Sequence, residues 1–237
     1  MSEVYDACVV DVNELKSKRK ILNKLINEAI RNNKNDALDT LTKLYALLYS
    51  SYAEISFLKL IHTPDGFSNE EIRVILKETN LTEKWHKCFE LAMKKISNED
   101  NKGEIANKRK KLQNILREYI IQPSKIRNKI AHGQWKKCLN SENEKINQEI
   151  TSAILELDCV KIDILFSVYD MFQQCIVDLI KSPRTHYRDY YSQIVKLEAF
   201  VEKTKMWSLG SKRKILQNSL KYRKYKEKTQ CQSNFTI

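Results

Sequence analysis

Apolar residues recur every three or four positions along most of the chain, the period of helices buried on one side. Leu15, Leu22, Leu25, Ile26, Ala29 and Ile30 share a face, and Asn13 stands where an N-cap is needed, so a first helix is expected over about 13–30. The polar cluster 32–36 then turns the chain. From Asp36 to Ile61 apolar residues lie nearly all round the helix, which places that segment at the centre of a bundle or beneath a second subunit. Pro64-Asp65-Gly66 reads as its turn.

Ser68 with Glu70 and Glu71 opens a short helix to about Glu78, and Thr82 caps the next, to about Ile96. Asn98–Gly103 is a polar loop, followed by a helix over 104–122. Pro123 is either the first residue of a short helix over 124–132 or a kink leading into it, with Gly133 as its C′ residue. Trp135–Leu139 and Lys145–Gln148 flank an Asn-Ser-Glu-Asn turn, as a small hairpin or an irregular loop. One long helix is expected from Thr151, with Ile154, Leu157, Ile164, Val168, Phe172, Cys175 and Leu179 on one side, stopped by Ser182-Pro183. Helices over 187–205 and, with weaker apolar spacing, 212–228 complete an all-α chain of antiparallel long helices.

Only four Gly and three Pro in 237 residues agree with long helices and argue against a sandwich or a doubly wound sheet. The net charge of +12 changes the picture further. Residues 203–228 hold ten Lys/Arg and one acid, Glu227, so that stretch carries most of the excess. The division expected is a helical domain over 1–205 and a partly helical basic extension over 206–237. A basic excess gathered this way suits an anionic partner, nucleic acid before membrane; the alternative is a solvated tail that aids solubility.

Six scattered cysteines with no CxxC pair, and Glu3 and Asp6 where a signal peptide would be basic and apolar, lead to an expectation of reduced thiols in a cytoplasmic protein. The most apolar stretch, Leu41–Ile61, contains Lys43, Glu54 and Lys59 and is not expected to span a membrane. His62, His86 and His186 share no metal-ligand spacing, and no HExxH, CxxC or glycine-rich phosphate loop occurs, so neither metal nor cofactor is expected. Tyr45, Tyr49 and Tyr52 lie at helical spacing and read first as core or subunit contact, second as a base-stacking platform.

Residues 127–133, Arg-Asn-Lys-Ile-Ala-His-Gly, carry the candidate chemistry. A permanent cation, an amide and an imidazole fall within about one and a half helical turns. A guanidinium stabilises charge on phosphate oxygens, and an imidazole near neutral pKa moves protons beside them. On an ideal helix Asn128 and His132 lie about 40° apart and Arg127 about 140° from His132. Convergence of all three on one phosphate therefore requires Arg127 to curl round, or the helix to end at His132. Lys108, Arg109, Lys111 and Lys129 are candidate RNA-binding residues, on a track toward Arg127 or on a merely solvated face.

This segment resembles the R-x4-6-H signature, often RN-x-x-x-H, of the HEPN superfamily, the higher eukaryote and prokaryote nucleotide-binding helical domains. Gln134-Trp135 and the long helix downstream are also similar to bacterial members. The resemblance implies a four- to five-helix bundle that forms a homodimer, in which two Arg/His motifs face each other as one metal-independent endoribonuclease site. Arg127 would bind phosphate, His132 transfer protons and Asn128 orient. It implies a toxin or antiviral defence effector acting on RNA, for which an antitoxin or sensor subunit is a candidate partner; the alternative is a non-catalytic RNA- or nucleotide-binding or regulatory module. The chain departs from the pattern in its basic C-terminal extension, and Glu54 is the one candidate for the auxiliary polar group of some members.

Overall fold

The computed structural model describes residues 3–95, 102–181 and 186–219, with the backbone alone for 102–105 and 186–191. Every regular element among them is helical: α1 (Glu3–Arg31), α2 (Asn35–Ile61), α3 (Asn69–Leu76), α4 (Leu81–Lys94), α5 (Lys102–Ile115), a π-helical stretch (Leu116–Ile121), α6 (Gln122–Ala131), α7 (Gln148–Leu155), α8 (Cys159–Lys181) and α9 (His186–Thr204). A further helical segment covers 209–219. None of these helices is long and apolar enough to cross a membrane.

The all-round apolar segment is the central helix. Tyr45, Tyr49, Tyr52, Phe57, Leu60 and Ile61 of α2 are buried among Trp85, Phe166, Tyr169 and Phe172. The tyrosine stripe is thus core, and its hydroxyls are spent on α8 and α5–α6. Tyr45 donates to Asp163 Oδ1 at 2.5 Å, Tyr52 donates to Asp170, and Gln173 donates to the Ser56 carbonyl. Tyr169 donates to the Ala53 carbonyl at 2.6 Å. Partners rise together along both helices, so α2 and α8 run parallel. That corrects the expectation of antiparallel long helices. Several intervening helices separate α2 from α8, and only a short connection forces neighbours to oppose each other. The three-residue turn between α1 and α2 does force it there, with Asn33 at a φ of 51°.

Several boundaries differ from the expectation. Helix α1 begins at Glu3, leaving Asn13 exposed in mid-helix, because Cys8 and Val12 extend the buried face upstream. Asn80, not Thr82, caps α4 by accepting from the Glu83 amide at 3.0 Å. Asp158 divides the helix expected to run unbroken from Thr151. Its carboxylate accepts from the Val160 and Lys161 amides at 2.8 and 2.9 Å and restarts the chain as α8. Ser68 does form a capping box with Glu71. The expected Asn98–Gly103 loop falls largely outside the described residues, with Gly103 already inside α5; the Ser182-Pro183 stop also lies outside them.

Pro123 lies in the first turn of α6, as one alternative expected, but the helix continues from the rod before it without a break. Lacking an N–H, Pro123 has no donor for the Tyr119 carbonyl one turn back. The helix widens to the π form over 116–121, and the Tyr49 hydroxyl donates to that carbonyl at 3.3 Å. α5 and α6 thereby continue as one rod from 102 to 131.

The basic segment is partly joined to the body. Lys212 pairs with Asp163 Oδ2 at 3.2 Å, and Arg213 donates to Asn35 in the α1–α2 turn. Trp207 lies edge-on to Phe200, and residues 220–228 of the expected helix lie outside the described residues. Cys8, Cys88, Cys138, Cys159 and Cys175 are free and buried, the last four within the hydrophobic core.

Burial raises the Asp163 pKa, but Tyr45, Lys212 and Arg19 outweigh it and hold the carboxyl below its ordinary value. A depressed folded-state pKa contributes stability above the unfolded-state value of about 3.9, and that contribution is lost as pH falls through the lower folded-state value. Asp163→Asn should cost about 2 kcal/mol at pH 7 in urea titrations. Its stability should decline less steeply below about pH 4 than that of the wild type.

Candidate nucleic-acid site

Helix α6 ends in a defined stop. Gly133, at a φ of 78°, donates to the Ile130 carbonyl at 3.1 Å, and Gln134 donates to the Lys129 carbonyl at 2.9 Å. This pair of bonds is a Schellman motif. It leaves His132 as the cap residue, exposed to solvent. The Trp135 indole fixes the exit by donating to the Ile130 carbonyl at 3.0 Å.

Arg127 points elsewhere. It is 8% exposed and reaches across to α2, where Nη1 donates to Ser50 Oγ at 2.7 Å and pairs with Glu54 Oε1 at 2.5 Å. Its Nε is buried with no acceptor. The Glu54 side chain is 57% exposed, so the ion pair has one side in water. The auxiliary polar candidate is therefore Arg127's direct partner.

The expected convergence of Arg127, Asn128 and His132 on one point is absent within a single chain. Arg127 does not curl round, because Ser50 and Glu54 hold it on the opposite side. It borders a groove of about 620 Å³ with Glu54, Asn128 and the start of α4. His132 borders a second groove, also of about 620 Å³, with Asn128, Lys129, Gln134 and Asn147. Asn128 and Lys125 line both and form the ridge between them. On its other side Arg127 also lines a largely apolar cavity of about 330 Å³ with Tyr49, Tyr119 and Ile126.

The expected RNA track is rearranged too. Lys129 lines the His132 groove while donating to the Asn140 carbonyl at 3.3 Å. Lys108 is buried, and burial, with Lys111 adding, lowers its pKa to about 8. Lys111 is tied to Glu198 on α9 at 2.7 Å, and Arg109 is exposed. These three sit at least sixteen residues before Arg127, roughly 24 Å or more along the rod, beside neither groove.

Lys125, Gln134 and Asn147 join the site unannounced by the motif. Lys125 could have been found, since 125, 128–129 and 132 repeat at helical spacing. Gln134 and Asn147 come together only because the chain closes a small loop. Asn147 N–H donates to the Cys138 carbonyl and Asn140 N–H to the Lys145 carbonyl, both at 2.7 Å, with one antiparallel bridge between Leu139 and Ile146. The hairpin alternative for this stretch is thus realised at its minimum length.

Among the described residues no group of three or more His, Cys, Asp or Glu side chains is placed to hold a metal ion. His86 is exposed on α4, and His62 is half-buried at the end of α2, where burial lowers its pKa; the His186 side chain lies outside the described residues. No known family model matches the chain, and no curated protein or solved structure matches it either.

A side chain added at Gly133 would meet no atom within 4 Å, so only its positive φ resists substitution. Gly133→Ala should cost about 1 kcal/mol in a chemical denaturation curve and Gly133→Asn distinctly less.

Proposed function

We propose that the chain is a metal-independent endoribonuclease of HEPN type, working as a homodimer and serving as a toxin or antiviral defence effector. The observation that carries this reading is the exposed His132 at the stopped end of α6. It stands beside Asn128 in a groove lined by Lys125 and Lys129 and, among the described residues, by no carboxylate. Such a groove attracts a polyanion and leaves the imidazole open to it.

Cleavage would proceed by attack of the ribose 2′-oxygen on the adjacent phosphorus. One His132 imidazole accepts the 2′-hydroxyl proton, and a protonated one from the second copy gives a proton to the departing 5′-oxygen. The P–O5′ bond breaks as the P–O2′ bond forms, which yields a 2′,3′-cyclic phosphate and a 5′-hydroxyl. Arg127 contributes positive charge to the phosphate once that phosphate competes with Glu54 for the guanidinium.

The Glu54–Arg127 pair favours a second reading, because Arg127 already has its anion. In that reading Arg127 anchors α6 to α2, and the groove serves a non-catalytic RNA- or nucleotide-binding or regulatory module.

His132→Ala should abolish cleavage of total RNA in EDTA while leaving the melting temperature within about 1 °C, since the side chain is exposed. Product ends should carry 2′,3′-cyclic phosphate. RNA that is bound but never cut by the wild type would select the second reading. Light scattering should give twice the chain mass of 28.0 kDa.

A further inference from the structure

We infer that the His132 groove is a base-reading pocket that prefers keto bases, uracil and guanine, over amino bases, cytosine and adenine. The inference rests on the reading that RNA occupies this groove, and it adds which nucleotides the groove selects.

Two amides carry the argument. Gln134 Oε1 accepts from the Leu139 backbone N–H at 2.8 Å, and Asn147 Oδ1 accepts from the Ile150 N–H at 3.0 Å. A backbone N–H is only a donor, so each amide must turn its oxygen toward it. The NH₂ of each side chain is then left over, and neither has a protein acceptor among the described residues. Both residues line the groove. The pocket therefore presents amide donors whose orientation is fixed by the fold, beside the cations Lys125 and Lys129.

The loop carrying Asn147 is rigidly tied. Cys138 N–H donates to Thr151 Oγ1 at 3.0 Å, Asn140 Oδ1 accepts from the Glu144 amide at 2.9 Å, and Lys129 clamps the Asn140 carbonyl from α6. The donors are thus held in place before any ligand arrives, so little ordering cost is added on binding. No carboxylate among the described lining residues is present to receive an exocyclic amine.

Base edges differ in what such a pocket can satisfy. Guanine offers O6 and N7 as adjacent acceptors, and uracil offers O4; adenine and cytosine place an N6 or N4 amine at the equivalent position. An unpaired base whose edge meets Gln134 and Asn147 would pair its keto oxygen with their NH₂ groups, whereas an amine at the same point would face donor against donor. Single-stranded RNA presents such unpaired edges.

Decaribonucleotides of uridine and of cytidine, labelled with fluorescein, separate the keto from the amino group at nearly constant size and identical backbone charge. Fluorescence anisotropy with the full-length protein in EDTA should show uridine bound about tenfold more tightly than cytidine. Gln134→Glu and Asn147→Asp keep the oxygen that each backbone N–H needs and replace the NH₂ with an acceptor. Both should retain the helical circular dichroism of the wild type while the uridine-to-cytidine ratio falls to about one or below. Equal binding of the two oligonucleotides by the wild type, or a ratio untouched in both variants, overturns the inference and leaves the nuclease reading intact. A uridine preference without any cleavage upholds the pocket and removes the nuclease reading. Absence of binding to either oligonucleotide removes both.

Discussion

A carboxylate taken largely out of water is the constraint around which this bundle is assembled. Asp163 on α8 receives hydrogen bonds from Tyr45 of α2, Arg19 and Asn23 of α1, and Lys212 of the basic segment. A charge drawn mostly out of water is tolerated only when paired and hydrogen-bonded, so the three segments that supply these groups must meet α8 together. The Tyr52–Asp170 bond repeats the device two turns further along, at the same sequence offset, and fixes the parallel register of α2 and α8. With α2 locked in this way, Ser50 and Glu54 are presented at fixed positions to α6. The placement of Arg127 is thus a downstream result of the Asp163 cluster.

Much of this arrangement is legible in the sequence, and the reasons the rest is not are physical. Local patterns held at some single turns and failed at others, since Asn13 lies inside α1 and Asn80 takes the capping place expected of Thr82. The capping box at Ser68 and the Gly133 stop follow from side chain and backbone chemistry within five residues. The lack of a polar face on α2 left two places open, the centre of a bundle or beneath a second subunit, and its aromatic contacts with α8 show it at the centre. The Asp158 cap escaped notice because the apolar period continues across it. The direction of α8 relative to α2 could not be read from periodicity, which records which face is buried and not what buries it. Likewise the 140° between Arg127 and His132 was available from helix geometry, but not that Ser50 and Glu54 would hold the guanidinium on its own side.

The motif residues therefore divide their tasks within one chain. Arg127 faces inward and joins helix to helix, whereas His132 faces outward over a groove whose amides come from thirteen residues apart. Asn128 and Lys125 connect the two. The proposed composite site asks a second copy to bring the outward and inward halves into one reaction.

The widened turn at Leu116–Ile121 has a meaning of its own. A π stretch behaves as an α-helix carrying one surplus residue. Each residue of an α-helix turns the axis by about 100°, so the surplus sets the rotational phase of everything beyond it. A version of this rod one residue shorter would swing the guanidinium off α2 and the imidazole off its groove. Spacing within the seven-residue motif is thus half of a vernier, and the other half is written upstream around Pro123.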